Sequence, residues 1–341
     1  MIVSRIRRVL QATPALAGVL VCALLAACAT PQVAQLRAQA STGALPGAPL
    51  AERAAVPPVP FYAQKEYECG PASLAMVMAA AGLSVSAEEL VPEVYLPARK
   101  GSLQVEMQAA TRQRGLLAYV LQPRLSVLLQ EIAAGHPVLV FQNVSLPVYP
   151  VWHYAVATAY DLQRNRITLH SGETANLEMS LYTFERTWER GSFWAMLALP
   201  PGQLPATADA ASLARSLAQL EASQPQAAQR GYAAALQRWP EQPGLLLGLG
   251  NTAYALHDPA AAAQAYQRAV AVQPDFADAW NNLAQTRLEL GQLQAARDAI
   301  ARAVALGGSR LAQYQELQAQ IGRAVAAQGA GGSAPAAVGA P

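Results

Sequence analysis

The C-terminal part of the chain repeats itself every 34 residues, and this period constrains the fold more than any other feature. Ala228, Ala262 and Ala296 occupy equivalent positions, as do Ala235, Ala269 and Ala303. Tyr232 and Tyr266 align with Ile300, Pro240 and Pro274 with Gly308, Leu246 with Trp280, and Leu249 with Leu283. A period of this length belongs to a helical hairpin that cannot bury its apolar face alone and stacks on its neighbours instead. Small residues recur where two helices cross closely, and proline or glycine falls between units, where a helix cannot continue. The pattern predicts three units over 209–242, 243–276 and 277–310, with the weakest match in the first helix of the first unit. A final helix near 309–326 caps the open apolar face, so the repeat region runs over 209–328.

These units resemble the tetratricopeptide pattern W-L-G-Y…A…F…A…P, best in 243–276 and 277–310. The resemblance implies an all-α TPR solenoid whose concave groove takes a peptide or a protein partner.

The other end of the chain reads as an export signal over 1–27. Arg5, Arg7 and Arg8 precede the apolar stretch ALAGVLVCALLAA at 15–27, which is short for a permanent membrane span and ends in small residues. Leu25-Ala26-Ala27-Cys28 resembles the lipobox of bacterial lipoproteins. That resemblance implies cleavage before Cys28 and lipid on its sulfur. Ala29, standing where an aspartate would hold a lipoprotein at the inner membrane, implies the outer membrane. The expected location is the periplasmic side of the cell envelope, with the membrane reached through the lipid anchor only. Residues 28–58 are rich in Ala, Pro, Gly, Ser and Gln without sustained periodicity, and read as a flexible tether. Residues 201–208 read as an interdomain linker and 329–341 as a disordered tail. The net charge is +2 without basic runs, which argues against a nucleic-acid partner.

Between tether and linker, 59–200 changes from helical to strand periodicity. Leu74, Val77, Met78 and Ala81 mark one face of a helix that Gly82 stops. A short helix over 86–91 opens on a Ser86–Glu89 capping box, and two more cover 102–114 and 125–134, each followed by glycine. Strand-like runs follow at 117–121, 137–143, 151–160, 166–170 and 193–199. Helices first and an antiparallel sheet afterwards describe an α+β domain.

The chain has three cysteines. If Cys22 leaves with the signal and Cys28 carries lipid, Cys69 is the one remaining thiol, and an exported protein rarely keeps a thiol without a use for it. Cys69 opens the helix of QKEYECGPASLAMVMAAAG, where first-turn N–H groups favour the thiolate, and Pro71 suits that first turn because it has no N–H to satisfy. A nucleophile needs a base. Of His136, His153, His170 and His257, His153 lies within the strongest strand pattern, where a rigid scaffold can hold its ring, whereas His136 and His257 read as structural.

The run Q-K-E-Y-E-C-G-P-A-S-L followed by H-Y-A-V-A-T-A-Y-D resembles the C39-like cysteine peptidases over residues 58–200. With the lipobox and the repeats, the whole chain resembles the bacterial PA2778-family cysteine peptidases. The resemblance implies a papain-like fold, with Cys69 as nucleophile, His153 as general base and Gln64 as oxyanion donor together with the Cys69 N–H. Gln64 lies five positions before Cys69, where the family has six. The family's orienting aspartate is replaced here by T-L-H-S-G at 168–172, so His170 or Ser171 takes its place, with Glu173 and Asn176 nearby. The function expected is a lipid-anchored periplasmic cysteine peptidase with a TPR module. The alternatives are an inactive C39-like peptide-binding scaffold, or a cysteine amidase or acyl transferase acting on cell-wall peptides. No ligand spacing calls for a metal, and no motif calls for a cofactor.

Overall fold

The structure is a computed structural model that describes residues 31–42 and 50–331. The export signal, Cys28 and the tail beyond residue 331 lie outside the described residues. In chain order the described elements are α1 (Pro31–Thr42), β1 (Arg53–Ala55), α2 (Cys69–Ala80), α3 (Ala87–Val94), α4 (Gln104–Gln113), β2 (Leu117–Val120), α5 (Leu125–Ala133), β3 (Val138–Asn143), β4 (Trp152–Asp161) and β5 (Arg166–Ser171). They continue with β6 (Thr174–Ser180), α6 (Leu181–Arg190), β7 (Ala195–Leu199), α7 (Ala210–Glu221), α8 (Pro225–Arg238), α9 (Pro243–Ala255), α10 (Pro259–Val272), α11 (Ala277–Glu289), α12 (Leu293–Leu306) and α13 (Leu311–Gly331). An N-terminal α+β domain with an antiparallel sheet is followed by a helical TPR solenoid. Two compact units emerge: the described residues up to Pro57 with Leu121–Ala195, and Pro58–Val120 with the described residues from Met196 on.

In the first unit β3, β4, β5 and β6 pair in that order, all antiparallel. β1 pairs with the far end of β4, Arg53 opposite Asp161, and so continues the lane that β3 occupies at the near end. Tyr154, Ala155, Val156 and Ala157 of β4 are all buried. A run of consecutive buried residues means that both faces of the strand are covered. α5 packs on β1, β3 and β4, and α6 on β3, β5 and β6. Buried Glu131 and His136 join the end of α5 to the start of β3 through a 2.6 Å contact at His136 Nδ1. His136 is therefore structural, as read from the sequence.

Two elements stand where no periodicity announced them. β6 is a largely exposed edge strand with a weak alternation. The helix after it, α6, carries clearer signals: Ser180 accepts the Thr183 N–H at 3.1 Å, and Leu181, Phe184 and Trp188 recur at helical spacing and are buried.

Within the stretch read as a tether, 28–58, the described residues carry regular structure, α1 and β1. Among its described side chains α1 buries Val33 and Leu36, too little apolar surface to read as a helix. Its order comes from tertiary contacts. The buried Glu185 carboxylate of α6 accepts the backbone N–H groups of Gln32 (2.9 Å) and Val33 (2.7 Å), an anion at the positive end of the helix. Gln32 in return accepts the Leu125 N–H and so caps α5.

In the second unit, α2 is buried from Gly70 to Met78, and α3 opens on the expected capping box, with Ser86 and Glu89 exchanging hydrogen bonds at 3.2 and 3.1 Å. α3 runs to Val94, three residues past the expected end. β2 pairs antiparallel with β7, Leu117 opposite Leu199. α7 packs on β2 and α4, and Arg112 and Gln224 add hydrogen bonds across that contact, so the first repeat helix is also a wall for the helical segment before it. This second role explains its poor repeat signature. The 201–208 linker is pinned as well, since Arg238 donates to the carbonyls of Pro205 and Ala206.

The solenoid keeps the period of the sequence: α8, α10 and α12 start at 225, 259 and 293, and α9 and α11 at 243 and 277. Tyr232 of α8 lies against Gly248 and Tyr266 of α10 against Gly250, so both rings are seated where the helix between them, α9, has no side chain. α13 continues to Gly331, past the helix end expected near 326.

Candidate active site

Cys69 is the first residue of α2, half-buried, and is a thiol rather than half of a disulfide. The first backbone hydrogen bond of the helix runs from Ala72 N–H to the Glu68 carbonyl at 3.2 Å. The N–H groups of Cys69 and Gly70 are thus not used within the helix and point out of its start, where they favour negative charge. Gly70 is required, because a Cβ there would stand 2.2 Å from Ser102 Oγ.

The turn before the helix explains the short spacing to Gln64. Glu68 N–H bonds to the Lys65 carbonyl at 3.0 Å, and Tyr67 takes a φ of +64°, a left-handed conformation uncommon for an aromatic residue. This tight turn folds the chain back. Gln64, itself buried, donates from Nε2 to Ser73 Oγ at 3.0 Å, one helical turn beyond Cys69. Ser73 is fully buried and holds the Gln64 amide beside the helix that Cys69 heads. The sequence named Gln64 but not Ser73. Its signal was a small polar residue four positions after Cys69 in an otherwise apolar helix.

His153 lies in the other unit, on β4 opposite Gln142 of β3. Its Nε2 is 2.8 Å from Ser171 Oγ, at the end of β5 before the turn into β6. Burial holds the His153 pKa below its ordinary value by disfavouring the imidazolium. With Nε2 tied to a hydroxyl, Nδ1 is the ring nitrogen left for proton transfer.

Of the two residues read for the third position, His170 and Ser171, the structure brings one to the His153 ring. Ser171, not His170, meets His153. His170 is buried, and its Nδ1 accepts the Asn176 backbone N–H at 3.2 Å, which ties it to the β5–β6 hairpin. Successive strand residues point to opposite faces, so only one of the two can share the face of His153. Asn176, with a φ of +55°, serves the hairpin through its backbone.

A second site lies on the solenoid. A cleft of about 450 Å³ is lined by Asn251, Tyr254, Tyr266, Asn282, Gln285 and Gln320, among others. Asn251 Oδ1 accepts from Tyr266 Oη (2.9 Å) and Asn282 Nδ2 (3.1 Å), which fixes the amides in place. Amides that both donate and accept suit the backbone of an extended peptide. His257, with a φ of +62°, sits in the α9–α10 turn.

The fold and these sites define an α+β domain with a cysteine at a helix start, joined to a TPR solenoid. Residues 56–196 match the model of the Peptidase_C39 like family, and 213–271 and 247–310 match that of the tetratricopeptide repeat. The chain thus carries a Peptidase_C39-like domain and TPR repeats. A search of curated proteins found no match. Among solved structures, the chain is similar to the first TPR domain of the human RPAP3 protein at 19% identity and TM-score 0.33, covering 35% of this chain and 93% of that one. It is also similar to the Sgt2 TPR domain from Aspergillus fumigatus, at 21% identity and TM-score 0.34, over 39% of this chain and 90% of that one. A third similar structure is the Yersinia enterocolitica type III secretion chaperone SycD in complex with a peptide of the translocator YopD. It shows 19% identity and TM-score 0.29, over 35% of this chain and 88% of that one.

Proposed function

We propose that the C39-like domain is a thiol-dependent peptidase of the PA2778 type, with Cys69 as nucleophile and His153 as general base. His153 takes the thiol proton on Nδ1, and the thiolate attacks the scissile carbonyl carbon. The oxyanion is held by the Gln64 amide and the Cys69 N–H. The imidazolium then gives its proton to the leaving amine, and water, deprotonated by the same imidazole, releases the acyl group from sulfur. The observation that carries this reading is the His153 Nε2–Ser171 Oγ contact of 2.8 Å, because it leaves Nδ1 for the proton transfers.

The rival reading, a C39-like domain that binds peptide without cleaving it, draws on the same contact. A hydroxyl beside the imidazole does not stabilise the imidazolium as a carboxylate would. Alkylation of Cys69 by iodoacetamide separates the two. An active pair gives substantial rate below neutral pH, which His153→Ala returns to the profile of an ordinary thiol. A wild-type profile that rises only near the ordinary thiol pKa of about 8.5 and ignores His153→Ala leaves the peptide-binding reading in place.

The chain is further proposed to be held by lipid on Cys28 at the periplasmic face of the outer membrane, with the solenoid cleft engaging a peptide or protein partner. Cys28→Ala is expected to change the mature mass and the membrane attachment. Retention of both apart from the substituted atoms would dismiss the anchor.

A further inference from the structure

The loop between β3 and β4, residues 144–151, and the Trp152 that follows it, form an exposed apolar surface. Leu146, Val148 and Tyr149 are 60%, 75% and 78% exposed, and Val144, Val151 and Trp152 are exposed as well. The stretch from Val144 to Trp152 contains no charged residue. Exposed apolar patches of this kind mark contact surfaces.

The polar groups of the loop are gathered at its base. Buried Asn143 accepts the N–H groups of Ser145 and Val151 through Oδ1, both at 3.0 Å. Val144 N–H bonds to Val151 O, and Tyr149 N–H to Leu146 O. Arg190 of α6 donates to the Ser145 carbonyl at 2.6 Å. Trp152 is stacked on Phe141 with centroids 5.2 Å apart. An ordered loop that bonds the N–H groups of Val144, Ser145, Tyr149 and Val151 within itself and its base, and turns Leu, Val, Tyr and Trp outward, suits a lipid interface, where unpaired backbone is costly and Tyr and Trp are favoured.

Two further observations select lipid as the occupant. The first is charge. A cleft of about 520 Å³ at the base of the loop is lined by Val144, Tyr182, Thr183, Arg186, Thr187 and Arg190. Arg186 and Arg190 stand one helical turn apart beneath the apolar tip, the arrangement in which guanidinium groups reach anionic headgroups while apolar side chains enter the acyl boundary. Glu189 is the exposed acid of the same helix turn. The second is tether length. α1 starts at Pro31, its first N–H groups are held by Glu185 of α6, and Arg37 lies over the Tyr182 ring at 5.3 Å. Only two residues, Ala29 and Thr30, separate Cys28 from Pro31, a path of three Cα–Cα steps. Fully extended they span about 10 Å, so lipid on Cys28 keeps α6 within about that distance of the bilayer surface. Arg190, which holds the loop, is about 7.5 Å along α6 from Glu185.

We infer that the 144–152 loop dips into the leaflet that holds the Cys28 lipid and holds the domain against the membrane, with the start of β4, and so His153, at the interface. This inference rests on the reading of Cys28 as a lipid anchor. It directs the enzyme to polypeptides lying at or emerging from the membrane.

The test uses full-length protein purified from membranes of a bacterium that expresses it and reconstituted in phosphatidylethanolamine–phosphatidylglycerol vesicles, with and without lipids brominated near the headgroup. The difference in tryptophan emission between wild type and Trp152→Phe isolates the Trp152 signal. For an insertion depth of about 5–10 Å it should be quenched at least about two-fold. A Val148→Trp reporter placed in Trp152→Phe should be quenched at least as strongly, and adding Tyr149→Asp should abolish that quenching. Protein that co-sediments with vesicles but shows no bromine quenching at either position overturns the loop proposal and leaves the anchor intact. In that case a peptide ligand that shields Trp152 from acrylamide would assign the loop to the substrate. Protein that fails to co-sediment overturns the anchor reading and the loop proposal with it.

Discussion

Replacing Ser171 by alanine removes the hydroxyl 2.8 Å from His153 Nε2 and little else. With Ser171 accepting, the imidazole keeps its proton on Nε2 and its lone pair on Nδ1. Without it, the tautomers approach equal weight and the ring loses its anchor. A neutral hydrogen bond of this kind contributes about 0.5–1.5 kcal/mol net. If all of that bond acts on the reacting geometry, Ser171→Ala lowers Cys69 alkylation and peptide turnover by roughly 2- to 12-fold. Ser171→Asp works in the opposite direction on the base. A carboxylate at this distance stabilises the imidazolium and raises the His153 pKa, offsetting the depression that burial causes. The assay is the rate of Cys69 alkylation by iodoacetamide across pH, paired with the titration of the His153 ring protons by NMR. In Ser171→Asp the ring titration should move up, while Cys69 alkylation, which the stabilised imidazolium favours, should gain rate at lower pH. Profiles of wild type, Ser171→Ala and Ser171→Asp that superimpose, with an unmoved His153 titration, would remove Ser171 from the mechanism and return the third position to question.

Three more outcomes are expected. His153 has a pKa lowered from 6.5, so the unfolded chain binds its proton more readily than the folded one. Its contribution to stability is complete above about pH 6.5 and is lost as pH falls from there through the folded value; His153→Gln should flatten that part of the denaturant-midpoint profile, and an unchanged slope would contradict it. Gly248→Ala places a Cβ 2.1 Å from Tyr232 Cζ, and the overpacking cost of about 1–3 kcal/mol exceeds the helix-propensity gain of about 1 kcal/mol, so a raised melting temperature would refute the ring-on-glycine packing. Glu185→Ala strips the acceptor from the Gln32 and Val33 N–H groups and should speed limited proteolysis within α1, whereas cleavage as slow as in wild type would show that α1 is held by other means.

The parts of this protein that were legible in its sequence are those whose signal is local or periodic. The solenoid follows from a repeat in which each hairpin has the same apolar face to cover. Cys69 at a helix start follows from Gly-Pro and an apolar run, and the Ser86–Glu89 box from two residues three apart. The turn geometry was legible only in part: the short Gln64–Cys69 spacing was visible, but not that a left-handed Tyr67 would fold Gln64 back onto Ser73.

Tertiary structure alone decided the rest. α1 is a helix because Glu185, some 150 residues later in the chain, neutralises its N-terminus, and nothing within Pro31–Thr42 encodes that carboxylate. α7 reads poorly as a repeat because one of its faces is shaped by β2 and α4 rather than by its neighbours in the array. The partner of His153 turned on the pleat. His170 and Ser171 are equivalent by spacing, but successive strand residues point to opposite faces, and the pairing register of β5 with β4 and β6 is what turns the serine, and not the histidine, toward the imidazole.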